Sequence, residues 1–219
     1  MVDAPIHETP APSSEASPEG RERLIEAAIR LFGRLGFEGT SVRDLAEEAG
    51  VAFSLIRFYF GSKEGLRDAA EARVVATYLD LALSASADTT VEDYLARIEA
   101  NLSEPLNIHD IAPFLRRALI EERPIAVGFV RRMLEREREG EGPYADLARR
   151  YPQEAWARDP VLSATPRLGV LLLAPLVQSL LGRDLYSREE LLRRNAAGFR
   201  IRDLVAKGLA TEAAEKKAR

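Results

Sequence analysis

The stretch SVRDLAEEAGVAFSLIRFYFGSK, residues 41–63, decides the fold. It reads as helix, tight turn, helix. Ser41 stands where a side-chain oxygen can take the first free backbone N–H groups, and Asp44 nearly completes a capping box. Leu45, Ala46 and Ala49 share the inward face of the helix that follows. Two helices that cross closely need a small residue at the crossing, and Ala46 supplies it. The turn needs a residue that tolerates a left-handed backbone, and Gly50 stands four positions later. Val51, Ile56 and Tyr59 then help to lock the pair at a fixed angle. Any one of these matches is common; all of them in register point to a helix-turn-helix.

The second helix of the pair is expected from about Ala52 to Tyr59. At about 100° per residue, Ile56 and Phe60 fall together and face a core. Ser54, Arg57 and Phe58 fall on the opposite side, Leu55 on a flank, and Phe53 at the N-terminal end. Exposed Phe58 and Leu55 are out of place on a solvated helix. They suit a DNA major groove, where Arg57 can pair with guanine edges and apolar groups can touch thymine methyls. Arg43 can reach a phosphate or a base edge. Thr40, Tyr59 and Lys63 suit phosphate contacts, which set register without reading sequence. Residues 51–63 hold Arg57 and Lys63 and no acid, but residues 19–65 hold seven basic and eight acidic side chains. Attraction to DNA must therefore come from one face, and a single module should bind weakly.

Outward from this core the helical pattern continues. Leu24, Ala28, Leu31 and Leu35, widened by Ile25 and Phe32, mark one face of a preceding helix, which Gly36 stops. Ser62 can cap a following helix through Leu66, Ala70, Val74, Tyr78 and Leu81 to about Ala85. Such a helix of ~22 residues would span ~33 Å, enough to carry a shift from one end to the other. Further helices are expected near 91–104, 110–122, 124–139, 144–157, 166–183 and 188–210. No strand-like alternation occurs, so the fold class is all-α. The expected layout is a Pro-rich disordered tail over 1–18, a three-helix DNA-binding domain over 19–65, a larger helical domain over 66–210 and a flexible tail over 211–219.

The 219 residues carry 31 Lys+Arg against 35 Asp+Glu, a formal charge of −4, which excludes a histone-like basic coat. With no cysteine and two histidines, disulfides, thiolate zinc sites and catalytic thiols are excluded and no metal or cofactor is expected. His109 beside Asp110 has no second ligand or base near it in sequence. No Walker, HExxH or GxSxG pattern occurs, so no enzyme chemistry is expected. The longest apolar stretch, between Arg167 and Arg183, is 15 residues and contains Pro175, Gln178 and Ser179. A span needs about 20 apolar residues. With no secretory segment visible either, a soluble, cytoplasmic protein with no membrane partner is expected.

The run LIEAAIRLFGRLGFEGTSVRDLAEEAGV, residues 24–51, continued by residues 52–66 with YFGSKE, resembles the N-terminal domain of the TetR family of transcriptional regulators. The resemblance covers about a fifth of the chain. It implies an all-α homodimer with a DNA-binding domain and a helical domain that binds a small effector and dimerises. The positions that match the family's usual DNA contacts are Ser41, Arg43, Phe53, Ser54, Leu55, Arg57, Tyr59 and Lys63. The family often has a small polar residue where Leu55 stands and Tyr where Arg57 stands, which implies an unusual operator.

In the C-terminal half, the stretch 168–181 is apolar nearly all round and must be covered on every side. Its residues alone allow either a central core helix or a partner-facing one. The resemblance favours a two-fold, four-helix interface with Leu172, Leu176, Leu180, Leu192, Phe199 and Leu204 in it. Tyr78, Tyr94, Phe114, Phe129, Met133 and Trp156 are candidates to line an effector pocket, with Arg117 and Gln178 to orient a ligand; plain core is the competing reading for the apolar ones. The expected function is a repressor released from a palindromic operator on double-stranded DNA by a small-molecule effector. Two alternatives remain: a DNA-binding regulator controlled by a protein partner, and a helical ligand-binding protein or enzyme whose helix-turn-helix is purely structural.

Overall fold

The computed structural model describes residues 17–83, 89–139, 145–154 and 159–218, and every regular element among them is a helix. Residues 1–16 of the expected 1–18 tail, and Trp156, lie outside the described residues. The chain divides into two compact units, Met1–Arg73 and Val74–Arg219.

The first unit holds α1 (Pro18–Leu35), α2 (Val42–Ala49), α3 (Ser54–Phe60) and the start of α4 (Lys63–Leu83). The Ser17 Oγ accepts from the Gly20 N–H at 3.1 Å, and Pro18 fills the first helical position, where its missing N–H costs nothing. Helix therefore begins one residue inside the expected tail. Leu24, Ile25, Ala28, Leu31 and Phe32 bury the expected face; Leu35, at the last turn, is exposed. α1 packs on both α2 and α3. Leu24, Ile29, Leu45, Ile56 and Leu66 form the fully buried hub that sets the angle between these short helices.

The second unit holds the rest of α4, then α5 (Val91–Leu102), α6 (Ile108–Ile120), α7 (Pro124–Arg138), α8 (Ala145–Arg150), α9 (Pro160–Leu181) and α10 (Arg188–Ala218). α5 packs on α10, α7 on α9, and α6 on both α7 and α9. Ile98, Ile111, Leu115, Phe129, Met133 and Leu171 lie in its core. α9 begins at Pro160, six residues earlier than expected, because Asp159 Oδ1 accepts from the Val161 N–H at 2.9 Å. α10 continues through 211–218, where a tail was expected; Ala210, Ala213, Ala214 and Ala218 are the strongest helix formers available.

Only one flank of α9 is covered. Ala164, Leu171 and Ala174 are buried, whereas Leu172, Leu173, Leu176, Leu180 and Leu181 are exposed, Leu180 to 75%. By length and composition alone this helix could cross a membrane. Arg167 within it bonds Glu137 of α7.

Candidate nucleic-acid interface

α2 is positioned by a complete capping box. The Asp44 N–H donates to Ser41 Oγ at 3.1 Å, and the Ser41 N–H donates to the Asp44 carboxylate at 2.7 Å. The backbone N–H of Ser41 and its hydroxyl, both directed at the carboxylate, hold Asp44 below the usual range for aspartate. The turn closes on Gly50, whose φ of 61° and ψ of 41° are left-handed. The Gly50 and Val51 N–H groups return to carbonyls of α2. Ala46, at the crossing, is buried.

This turn launches α3 with two consecutive side chains inward. Leu55 and Ile56 are 5% and 2% exposed. Leu55 was expected on an outward flank; the hub extends one position further round the helix than the wheel alone implied, and Leu55 cannot meet a base. Phe53 and Phe58 are 66% and 63% exposed, and Ser54 and Arg57 are exposed with them. Water gains nothing from two bare phenylalanines about one and a half turns apart at the start and middle of a short helix. Arg43 and Arg57 are exposed and form no ion pair among the described residues. By contrast, Arg30 pairs with Glu26 and Arg73 with Glu22. Pairing of that kind lets a unit of balanced charge keep two bare guanidiniums on α2 and α3.

Three expected phosphate contacts are placed differently. Thr40 is 1% exposed, and its hydroxyl donates to the Gly36 carbonyl at 2.8 Å. It closes the α1–α2 loop and offers no donor outward. The Tyr59 hydroxyl donates to the Ser17 carbonyl at 2.9 Å. Lys63 lies 4.0 Å from the Phe37 ring centre and gives one N–H to the Phe37 carbonyl. An ammonium has three donors, so two stay available to a phosphate. Ser41 is exposed, but its oxygen is taken as an acceptor by the cap.

Residues 24–70 match the family model described as bacterial regulatory proteins, tetR family. The similarity to that family is carried by residues 24–70. The HTH-type transcriptional regulatory protein RaaS of Mycobacterium tuberculosis is 43% identical over 81 residues, 36% of this chain and 38% of RaaS. The HTH-type transcriptional regulator RutR of Escherichia coli is 25% identical over 138 residues, 54% of this chain and 65% of RutR. The chain therefore spans less than two thirds of either relative. A solved transcriptional regulator of the TerR/AcrR family from Aquifex aeolicus shares the fold, with a TM-score of 0.55 at 20% identity over 83% of this chain and 98% of that one. RaaS and RutR both carry the name of transcriptional regulators.

In the second unit the expected pocket residues are scattered. Phe114, Phe129 and Met133 are buried core. Tyr78 sets its ring edge-on to Phe129 at 5.3 Å, and Tyr94 meets Phe199 at 5.5 Å. The Gln178 amide donates to Asp184 at 2.9 Å, at the surface. Arg117 keeps a buried Nε without a hydrogen-bond partner. A cavity of about 460 Å³ lies elsewhere, along α6 and α7, between apolar Leu119, Ala126, Val127, Val130 and Leu134 and charged Glu122, Arg131, Glu135 and Arg138. No expected pocket residue lines it. Of the expected interface residues, Leu172, Leu176, Leu180 and Leu204 are exposed, joined by Ile201, which gives α9 and α10 a shared type of bare apolar side. Leu192 is half-buried, and Phe199 spends its ring on Tyr94 within the same subunit.

Proposed function

We propose that the protein is a dimeric, sequence-specific DNA-binding transcriptional regulator of the cytoplasm, acting as a repressor that a small molecule releases from a palindromic operator. The observation that carries this reading is the outward side of α3: Phe53, Ser54, Arg57 and Phe58 bare together on a helix that Leu55, Ile56 and a left-handed Gly50 hold rigidly in place. Rigidity matters because base readout needs donors fixed to within a fraction of an ångström. Arg57 supplies the forked donor for guanine, Phe53 and Phe58 the apolar contact for thymine methyls, and Arg43 and Lys63 the phosphate anchors.

The bare leucines of α9, with Ile201 and Leu204 of α10, support the second copy. An exposed patch of this kind marks an interface. A two-fold pair would present two α3 helices to successive major grooves, about 34–36 Å apart, and would double the weak attraction of a single module. A ligand in the second unit that favours a conformer with the wrong spacing lowers operator affinity; a coupling of ~1–3 kcal/mol gives a 5–150-fold effect.

The test is a gel shift on DNA immediately upstream of the protein's own gene, repeated with Arg57→Ala. Retarded DNA with the wild type, and lost sequence preference with the variant, is the expected result. No retardation at any salt concentration removes the regulator reading. Release of DNA only by another protein, with no small molecule active, replaces the effector with a protein partner.

A further inference from the structure

The Phe37 ring, in the loop between α1 and α2, carries two cations from the first turns of α4. The Lys63 ammonium lies 4.0 Å from the ring centre and the Arg67 guanidinium 3.9 Å. Both are well inside the ~6 Å over which an aromatic face attracts a cation. Four residues separate them on α4, so the two side chains leave the same side of that helix. The Phe37 carbonyl adds a second hold. It accepts an N–H of Lys63 and, at 3.3 Å, the backbone N–H of Thr40, the residue before the α2 cap. The cluster borders both reading elements, since α4 begins at Lys63, three residues after α3 ends at Phe60.

A ring positions a cation without neutralising it. That sets Lys63 and Arg67 apart from Arg30 and Arg73, which carboxylates of Glu26 and Glu22 neutralise. Neither Lys63 nor Arg67 forms an ion pair among the described residues. The acids nearest in the chain do not bridge them. The Glu64 carboxylate is held chiefly by its own backbone N–H and the Ser62 hydroxyl, with Arg67 and Lys63 as weaker attractions through space. Glu38 is exposed and forms no ion pair among the described residues, and Asp68 is already engaged. The Arg67 Nε is buried without a hydrogen-bond partner, so stacking on Phe37 fixes the guanidinium plane while its donors stay unspent. Like charges four residues apart on a helix repel. One carboxylate in place of Phe37 would cancel that cost; a neutral ring keeps both charges for a negative group from outside.

We propose that Arg67 joins Lys63 in a two-cation anchor for DNA phosphates and that Phe37 is the positioning residue whose ring aims both. The inference rests on the DNA-binding reading above and extends the contacted backbone one turn into α4. Phosphodiester oxygens take charge-assisted hydrogen bonds from the Arg67 fork and from the ammonium donors that the Phe37 carbonyl leaves free.

Salt titrations of the full chain on two duplexes test the anchor: the DNA immediately upstream of its gene, and a shuffled sequence of equal length. Affinity falls with salt in proportion to the phosphates neutralised, with a slope of ~0.9 per contact. Arg67→Gln is expected to lower the slope by about one unit per subunit bound and to weaken both duplexes by the same factor. Arg73→Gln removes a charge of the same kind from the same helix, but one that Glu22 already neutralises, and is expected to leave the slope alone. Phe37→Leu, which stays apolar but loses the ring, is expected to lower the slope at least as far as Arg67→Gln. Phe37→Tyr keeps the ring and is expected to keep the wild-type slope, with circular dichroism to confirm folding of each variant. An unchanged slope with Arg67→Gln, or an equal fall with Arg73→Gln, overturns the anchor. A wild-type slope with Phe37→Leu overturns the part given to the ring. A wild-type chain that retains neither duplex at any salt concentration sinks the DNA-binding reading and the anchor together. Retained duplex with an unchanged Arg67→Gln slope removes the anchor alone.

Discussion

The Tyr59 hydroxyl donates to the Ser17 carbonyl, 2.9 Å away across 42 residues of sequence. The bond ties the end of α3 to the cap that starts α1. A phosphate would need that same proton. Tyr59→Phe is therefore expected to lower the stability of the N-terminal unit by ~0.5–1.5 kcal/mol in urea unfolding, while the salt dependence of DNA binding keeps its slope. A slope that falls by about one unit would restore Tyr59 as a phosphate contact.

Leu55 and Arg57 are two residues apart and should behave as opposites. Leu55→Ala removes a side chain that is 5% exposed, and a loss of ~2–5 kcal/mol in unfolding free energy is expected. Arg57→Ala should change stability by less than ~0.5 kcal/mol and cost ~1–3 kcal/mol in discrimination between operator and mismatched DNA. Unfolding and binding titrations on both variants decide the assignment, and an exchange of these phenotypes would reverse it.

Gly50 holds φ at 61°, and a Cβ there would meet only the Arg23 guanidinium at 3.8 Å. Space is available, so the penalty is conformational. Gly50→Ala should cost ~1–2 kcal/mol, the left-handed penalty for an L-residue, and Gly50→Asn less, because Asn tolerates that region. Equal loss with both would point to a steric cause instead.

Alkali should loosen the second unit. The Tyr78 phenol ionises near 12 when folded and near 10 when unfolded. The folded chain keeps its proton in that interval while the unfolded chain gives it up, so stability is full below pH 10 and falls as pH rises toward about 12. Tyr78→Phe should flatten part of that decline, as read from thermal unfolding at successive pH values. An identical decline in the variant would assign the effect to other groups.

Leu176 and Leu180 are 58% and 75% exposed on α9. Replacing either by Glu should leave circular dichroism unchanged and, in sedimentation, convert a species of about twice the chain mass into one chain, because a charge buried at an interface is costly. A wild-type protein that sediments as one chain at all concentrations would remove the dimer.

Much of the first unit was legible because its constraints are local. Ser41 acts on Asp44 and Gly50 on Ala46, each over three or four residues, and a wheel places Ile56 inward without knowing the rest of the chain. Leu55 was misplaced because its burial depends on how far α1 wraps around α3, a non-local fact. Thr40 and Tyr59 carry hydroxyls that suit a phosphate as well as a carbonyl, and sequence does not say which is nearer. In the second unit the helices were found but the cavity was not, because Leu119, Val127, Val130 and Leu134 read as ordinary apolar helix positions until α6 and α7 are brought together. The start of α1 at Ser17-Pro18 was readable as a capped proline start, but the prolines before it concealed the signal.

The brevity of α3 has an evolutionary corollary. Seven residues with Leu55 and Ile56 committed to the hub leave very few positions on which drift can act without unfolding the unit. If α3 reads bases as proposed, a change of recognised sequence falls largely on Ser54, Arg57, Phe58 and the neighbouring Phe53, and a library randomised at those four codons is the way to sample it.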